Sequence, residues 1–90
     1  MITSVKSISV VIPNYNGRSL LEANLPPLLQ ALEHSGVDYE IIISDDCSTD
    51  NSVDFLKQEY PEIKLLEAGQ NGGFATNINR GIVAAGKELV

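Results

Sequence analysis

Apolar β-branched runs alternate with stretches of helical periodicity along this chain, and the alternation predicts its elements. Residues 7–12 form a largely apolar run stopped by Pro13, the pattern of a central strand in a parallel sheet covered on both faces. Leu20, Leu21, Leu25, Leu28, Leu29 and Leu32 then recur at helical spacing, predicting a helix over 19–35 that Gly36 stops. Pro26 and Pro27 fall inside it. Because proline is tolerated in a first helical turn, the expectation is a short turn over 19–23, then a fresh start capped by Asn24, with a kink between. Residues 39–44 repeat the buried-strand signal with Ile41, Ile42 and Ile43. A helix over about 50–60 follows, ended by Pro61, with Val53, Leu56 and Tyr60 as its expected buried face. Residues 63–66 read as a short third strand. Phe74, Ile78, Ile82 and Ala85 mark one side of a third helix, closed by Gly86, and residues 88–90 read as the opening of a fourth strand. The order βαβαβαβ implies an α/β fold with a right-handed, doubly wound parallel sheet.

In such a sheet the loops at the carboxyl ends of neighbouring strands converge on one crevice. Three segments fall there: Pro13-Asn14-Tyr15-Asn16, Asp45-Asp46, and Gln70-Asn71-Gly72-Gly73-Phe74. An aromatic ring, a carboxylate pair and a double-glycine turn are parts suited to a nucleotide. Successive strand residues point to opposite faces, so one of Asp45 and Asp46 should aim into the crevice while the other fixes the turn. Asp46, nearer the loop, can accept the ring N–H of uracil or thymine, or the N–H pair of guanine. Tyr15 can cover a base or pack against the helix that follows. Asn71-Gly72-Gly73 before a helix is similar to a phosphate nest, whereas the absence of Gly-x-Gly-x-x-Gly after strand one counts against an NAD site. Asn77 and Arg80 fit a solvated helical face, and Asn79 is placed to bond back to a loop.

Ninety residues suit one small domain, taken as residues 1–90. Net charge is −6, from 6 Lys and Arg against 12 Asp and Glu, which argues against general nucleic-acid binding because phosphate neutralisation needs clustered cations. Neither a membrane span nor a signal peptide is readable, so a soluble, cytoplasmic piece is expected. Cys47 and His34 have no partners at metal-ligand or catalytic spacing. They read as a small residue in a tight turn and a solvated helix end.

Ser9-Val10-Val11-Ile12-Pro13-Asn14-Tyr15-Asn16-Gly17, Ile43-Ser44-Asp45-Asp46-Cys47-Ser48-Thr49-Asp50 and Asn71-Gly72-Gly73-Phe74-Ala75-x-x-x-Asn79-x-Gly81-Ile82 together resemble the start of a family 2 glycosyltransferase. The set is particularly similar to rhamnosyltransferase-like members that build surface polysaccharides. The resemblance implies the Rossmann-like nucleotide-binding half of a GT-A fold, a nucleotide-diphosphate sugar donor, a glycan or lipid-linked acceptor, a divalent metal (Mn or Mg) and inversion at the sugar carbon. It places Pro13, Asn14 and Tyr15 along the nucleoside pocket, Tyr15 beside the base and Asp46 as the base-binding acid. Asp45 matches an acid less directly involved, and Gly72-Gly73 match the loop near the base and diphosphate. Some relatives carry an arginine where this chain has Gly73, and glycine, alanine or asparagine where it has Cys47.

The resemblance puts the metal-binding Asp-x-Asp and the catalytic base beyond Val90, so no catalytic or metal-binding residue is expected in this chain. The reading is the nucleotide-binding fragment of an inverting glycosyltransferase, truncated in its fourth strand. Its incomplete sheet is expected to self-associate, and membrane association of the longer protein is left open. Its rivals are a non-catalytic nucleotide-binding or regulatory α/β module, and a phospho-receiver-like domain. The last would place its paired acids after the first strand, not the second.

Overall fold

A computed structural model describes residues 7–87. Its elements are β1 (Ser7–Asn14), α1 (Arg18–Ser35), β2 (Asp38–Asp45), α2 (Ser52–Glu59), β3 (Lys64–Glu67) and α3 (Phe74–Ala84). The strand expected at 88–90 lies outside the described residues. The three strands pair in parallel in the order β1-β2-β3. Register aligns Asn14 with Asp45 and Asp45 with Glu67, so three loops leave the sheet from one row. The ladder runs one step further, through Asp46 N to the Asn14 carbonyl and Ala68 N to the Asp45 carbonyl, both 2.9 Å.

Alternation along the strands gives the sheet two different faces. On one, Ile41 and Ile43 meet Leu21 and Leu25 of α1, Leu56 of α2, and Ile63, with Val10 and Ile12 against them. Each fully buried Leu or Ile there stabilises by about 1.5–3 kcal/mol. The other face presents Val11 and Ser44 to α3, which packs across β1 and β2. Helices on both faces make the sheet doubly wound, as the element order predicts.

Four expectations differ in detail. Most of β1 is only half-buried, short of the cover expected on both its faces. Helix α1 runs unbroken through Pro26 and Pro27, without the expected restart. The prolines deprive the Glu22 and Ala23 carbonyls of their helical donors, but both residues are exposed, where water replaces the lost bond. Asn24 does not cap a second segment; its Nδ2 donates back to the Leu20 carbonyl at 2.9 Å. Leu20 itself is exposed, while Gly36 ends the helix in the left-handed region at φ 72, as its position predicts.

Helix α2 begins at Ser52 and buries Ser52 and Leu56, with Val53 and Tyr60 only half-covered. The largest difference is in α3. Asn77 and Gly81 form its buried face, whereas Phe74 and Ile82 point outward and Ala85, not Gly86, caps the end. A Cβ on Gly81 would collide with the Val11 side chain, so this is where the helix comes closest to the sheet.

Candidate functional site

The two acids at the end of β2 do different work. Asp45 is buried and holds its own turn: it accepts Ser48 N at 2.9 Å, Ser48 Oγ at 2.6 Å and Asn14 Nδ2 at 2.8 Å. Between Asp46 and Ser48 the chain passes through Cys47 at φ 64, a left-handed conformation that costs an L-residue about 1–2 kcal/mol. Asp46 itself faces the loop after β3. Its Oδ1 accepts Gly72 N at 2.8 Å and its Oδ2 accepts Gly73 N at 2.9 Å. Gly73 has φ 89, open to glycine and strained for other residues. The two amides read from sequence as a phosphate nest therefore face a carboxylate of the chain itself.

The loops after β1 and β2 are joined directly. Asn16, at φ 52, accepts Thr49 N at 2.7 Å and Asp50 N at 3.1 Å on its Oδ1, and its own N–H donates to Ser48 Oγ at 2.9 Å. Asp50 receives Arg18 N at 3.2 Å from the start of α1, and also Ser52 N and Ser52 Oγ from the start of α2. Partial burial opposes ionisation of Asp50, but these donors outweigh it and hold the carboxyl below its ordinary value.

Behind Asp46 lies a polar network inside the packing of α3 on the sheet. Asn77, expected on a solvated face, is buried at 3% exposure. Its Oδ1 accepts Ser44 Oγ at 2.6 Å and Arg80 Nη1 at 2.9 Å. Arg80, also expected in solvent, is drawn inward until Nη2 stands 4.0 Å from Asp46 Oδ1. Small residues let the helix approach closely here, and the polar groups trapped by that approach satisfy one another. Asn79 and His34 are exposed, as is Cys47.

These parts enclose a crevice of about 280 Å³ lined by Pro13, Asn14, Tyr15, Asp46, Asn71, Gly73, Phe74 and Asn77. Five of the seven residues singled out from sequence line it: Pro13, Asn14, Tyr15, Asp46 and Gly73. Gly72 contributes its amide to Asp46, and Asp45 braces the turn and Asn14 beside it. Sequence reasoning missed Asn77 as a lining residue. Phe74 belongs to the turn expected at the crevice, though not among its named site residues, and stands 72% exposed among the lining residues. A second cleft of about 250 Å³ lies between the end of β1 and α1, with Tyr15 on its rim too. Its walls are largely apolar, four of the lining residues being leucines, and carry no charged group, whereas the first crevice has the Asp46 carboxylate in its lining.

A divalent cation does not fit the donors present. Among the described residues no three His, Cys, Asp or Glu side chains come together, fewer oxygen ligands than such an ion takes. No helix among them is long and apolar enough to cross a membrane.

Residues 9–90 match the model of glycosyl transferase family 2. Among curated proteins, the uncharacterized glycosyltransferase YibD of Escherichia coli is 40% identical over 97% of this chain and 25% of its own length. The putative teichuronic acid biosynthesis glycosyltransferase TuaG of Bacillus subtilis is 34% identical over 87% of the chain and 31% of its own length. An undecaprenyl-phosphate 4-deoxy-4-formamido-L-arabinose transferase of Aeromonas hydrophila is 34% identical over 92% of the chain and 24% of its own length. The chain thus spans about a quarter to a third of these relatives.

Proposed function

The chain belongs to glycosyl transferase family 2, and from that premise we propose that it is the nucleotide-binding part of an inverting transferase. The longer protein moves a sugar from a nucleotide-diphosphate donor to a glycan or lipid-linked acceptor. Asp46 carries the reading. It is a carboxylate at 3% exposure, held in one orientation by two backbone amides, on a crevice whose rim offers the rings of Tyr15 and Phe74. A carboxylate has about four lone-pair sites, so each oxygen keeps one for a base N–H while holding its amide. The rings supply apolar cover for a flat base. The names of the TuaG and Aeromonas relatives, one of teichuronic acid synthesis and one of an undecaprenyl phosphate, support the choice of acceptors.

An inverting step needs a base for the acceptor hydroxyl and positive charge against the leaving diphosphate. Neither role falls on a described residue. Both, with the divalent metal, belong in this proposal to other parts of the longer protein. Cytoplasmic location is part of the same proposal.

The test is calorimetric titration of the full-length protein with nucleoside diphosphates. Asp46→Asn should weaken binding by about 1–3 kcal/mol, the range for a lost hydrogen bond to a charged group. Asp45→Asn should cost less affinity and more thermal stability, because Asp45 braces the turn without lining the crevice. Tyr15→Ala should weaken binding and His34→Ala should not. Equal affinity of wild type and Asp46→Asn would remove Asp46 from the site and overturn the reading.

A further inference from the structure

Asn77 has no part in the reading above, yet it lines the same crevice as Asp46 and is buried on the first turns of α3. Its hydrogen bonds with Ser44 and Arg80 both end on Oδ1. A guanidinium only donates, so the amide atom that faces Arg80 has to be the oxygen. Arg80 in turn is kept in place by Asn77 itself and by the Asp46 carboxylate 4.0 Å away. The orientation of the amide is therefore dictated by its neighbours, and the Nδ2 end is the one left to the crevice. Among the described residues Arg18 Nε is the one fully buried side-chain nitrogen or oxygen without a partner, so Nδ2 is not a sealed, orphaned donor.

We propose that Asn77 is a specificity-determining residue of the nucleotide pocket: its Nδ2 donates to a ring carbonyl while Asp46 accepts the adjoining ring N–H. This rests on the reading of the crevice as a nucleotide site and names the bases it takes. Uracil and thymine present N3–H beside a carbonyl, and guanine presents N1–H beside O6. Cytosine and adenine present the reverse, a bare ring nitrogen beside an amino group. Against Asp46 and Asn77 that reversed edge would set acceptor to acceptor and donor to donor, leaving buried polar groups unpaired. Ser44 and Arg80 are positioning residues, since they decide which end of the amide meets the base.

The discriminating variant is Asn77→Asp. It keeps an oxygen for Ser44 and Arg80 and nearly the same shape, but replaces the donor with a second acceptor. Full-length protein is titrated with UDP, dTDP, GDP, CDP and ADP in magnesium buffer. Wild type should bind at least one of the first three about ten-fold or more tighter than CDP and ADP. Asn77→Asp should lose most of that preference while binding CDP and ADP as before. In wild-type protein the Asn77 side-chain NH₂ resonances should also move when the preferred nucleotide saturates the site, a readout that needs no variant to fold.

Wild type that binds none of the five overturns the nucleotide reading itself. Three results would overturn the Asn77 assignment while that reading stands: a wild-type preference for CDP or ADP, an unchanged preference in Asn77→Asp, or unmoved Asn77 resonances. An equal loss toward all five nucleotides would mark Asn77 as structural and overturn it as well.

Discussion

Gly81 stands where α3 comes closest to β1, and its missing side chain is what allows the contact. A Cβ there would run into Val11, whose branched side chain has little rotamer freedom to move aside. Alanine normally gains up to about 1 kcal/mol over glycine within a helix. Here overpacking, which costs about 1–3 kcal/mol, outweighs the gain. Gly81→Ala should therefore lower the stability of the full-length protein by about 1 kcal/mol or more in denaturant unfolding. Gly69→Ala, with nothing within 4 Å of its added carbon, should be neutral or slightly stabilising. Gly81→Ala should also weaken nucleotide binding, because lifting α3 carries Asn77 and Arg80 away from Ser44 and Asp46. A Gly81→Ala protein as stable as wild type would show that the helix can shift at no cost.

Between elements, two carboxylates act as clasps. Glu40 on β2 accepts Ser9 Oγ of β1 at 2.6 Å and Gly86 N beyond α3 at 2.7 Å, and Asp50 ties the start of α1 to the start of α2. The Ser9 hydroxyl, then the Gly86 amide, hold the Glu40 carboxyl below its ordinary 4.5. A carboxyl whose folded pKa lies below its unfolded one stabilises fully at pH above the unfolded value, and that stability is lost as pH falls through the folded value. Stability should therefore be flat from neutral pH down to about 5 and decline below the ordinary carboxyl values. Glu40→Gln and Asp50→Asn should each flatten that decline in urea unfolding curves taken across pH, and an unchanged profile would show that neither clasp contributes. The same interfaces mark where sequence reading works and where it stops. Asn14, Asp45 and Asp46 are legible because β-branched runs announce the strands, and parallel strands of similar phase end in one row. Asn77 and Arg80 are not, because periodicity counts apolar side chains while α3 is seated by a glycine and a polar network. Pro26 and Pro27 mislead for a related reason: Leu21 and Leu25 are held by tertiary packing, and exposed carbonyls beside the prolines tolerate the lost donors.

Across the whole molecule, the crevice has two walls of unequal stiffness. The wall built by the loops after β1 and β2 is laced by Asn16, Asp45, Ser48 and Asp50. The turn after β3 meets it through the Gly72 and Gly73 amides on Asp46. Hydrogen exchange should accordingly be slower at Thr49 and Asp50 than at Gly72 and Gly73. Asp46→Asn should speed exchange at the two glycines and leave the first pair unchanged, whereas equal acceleration in both loops would show that the walls move as one. Two hydrogen bonds on Asp46 thus join one wall of the crevice to the other. In the proposed site a base would share with the turn after β3 the one carboxylate that holds that turn shut, so grip and closure are joined at a single side chain.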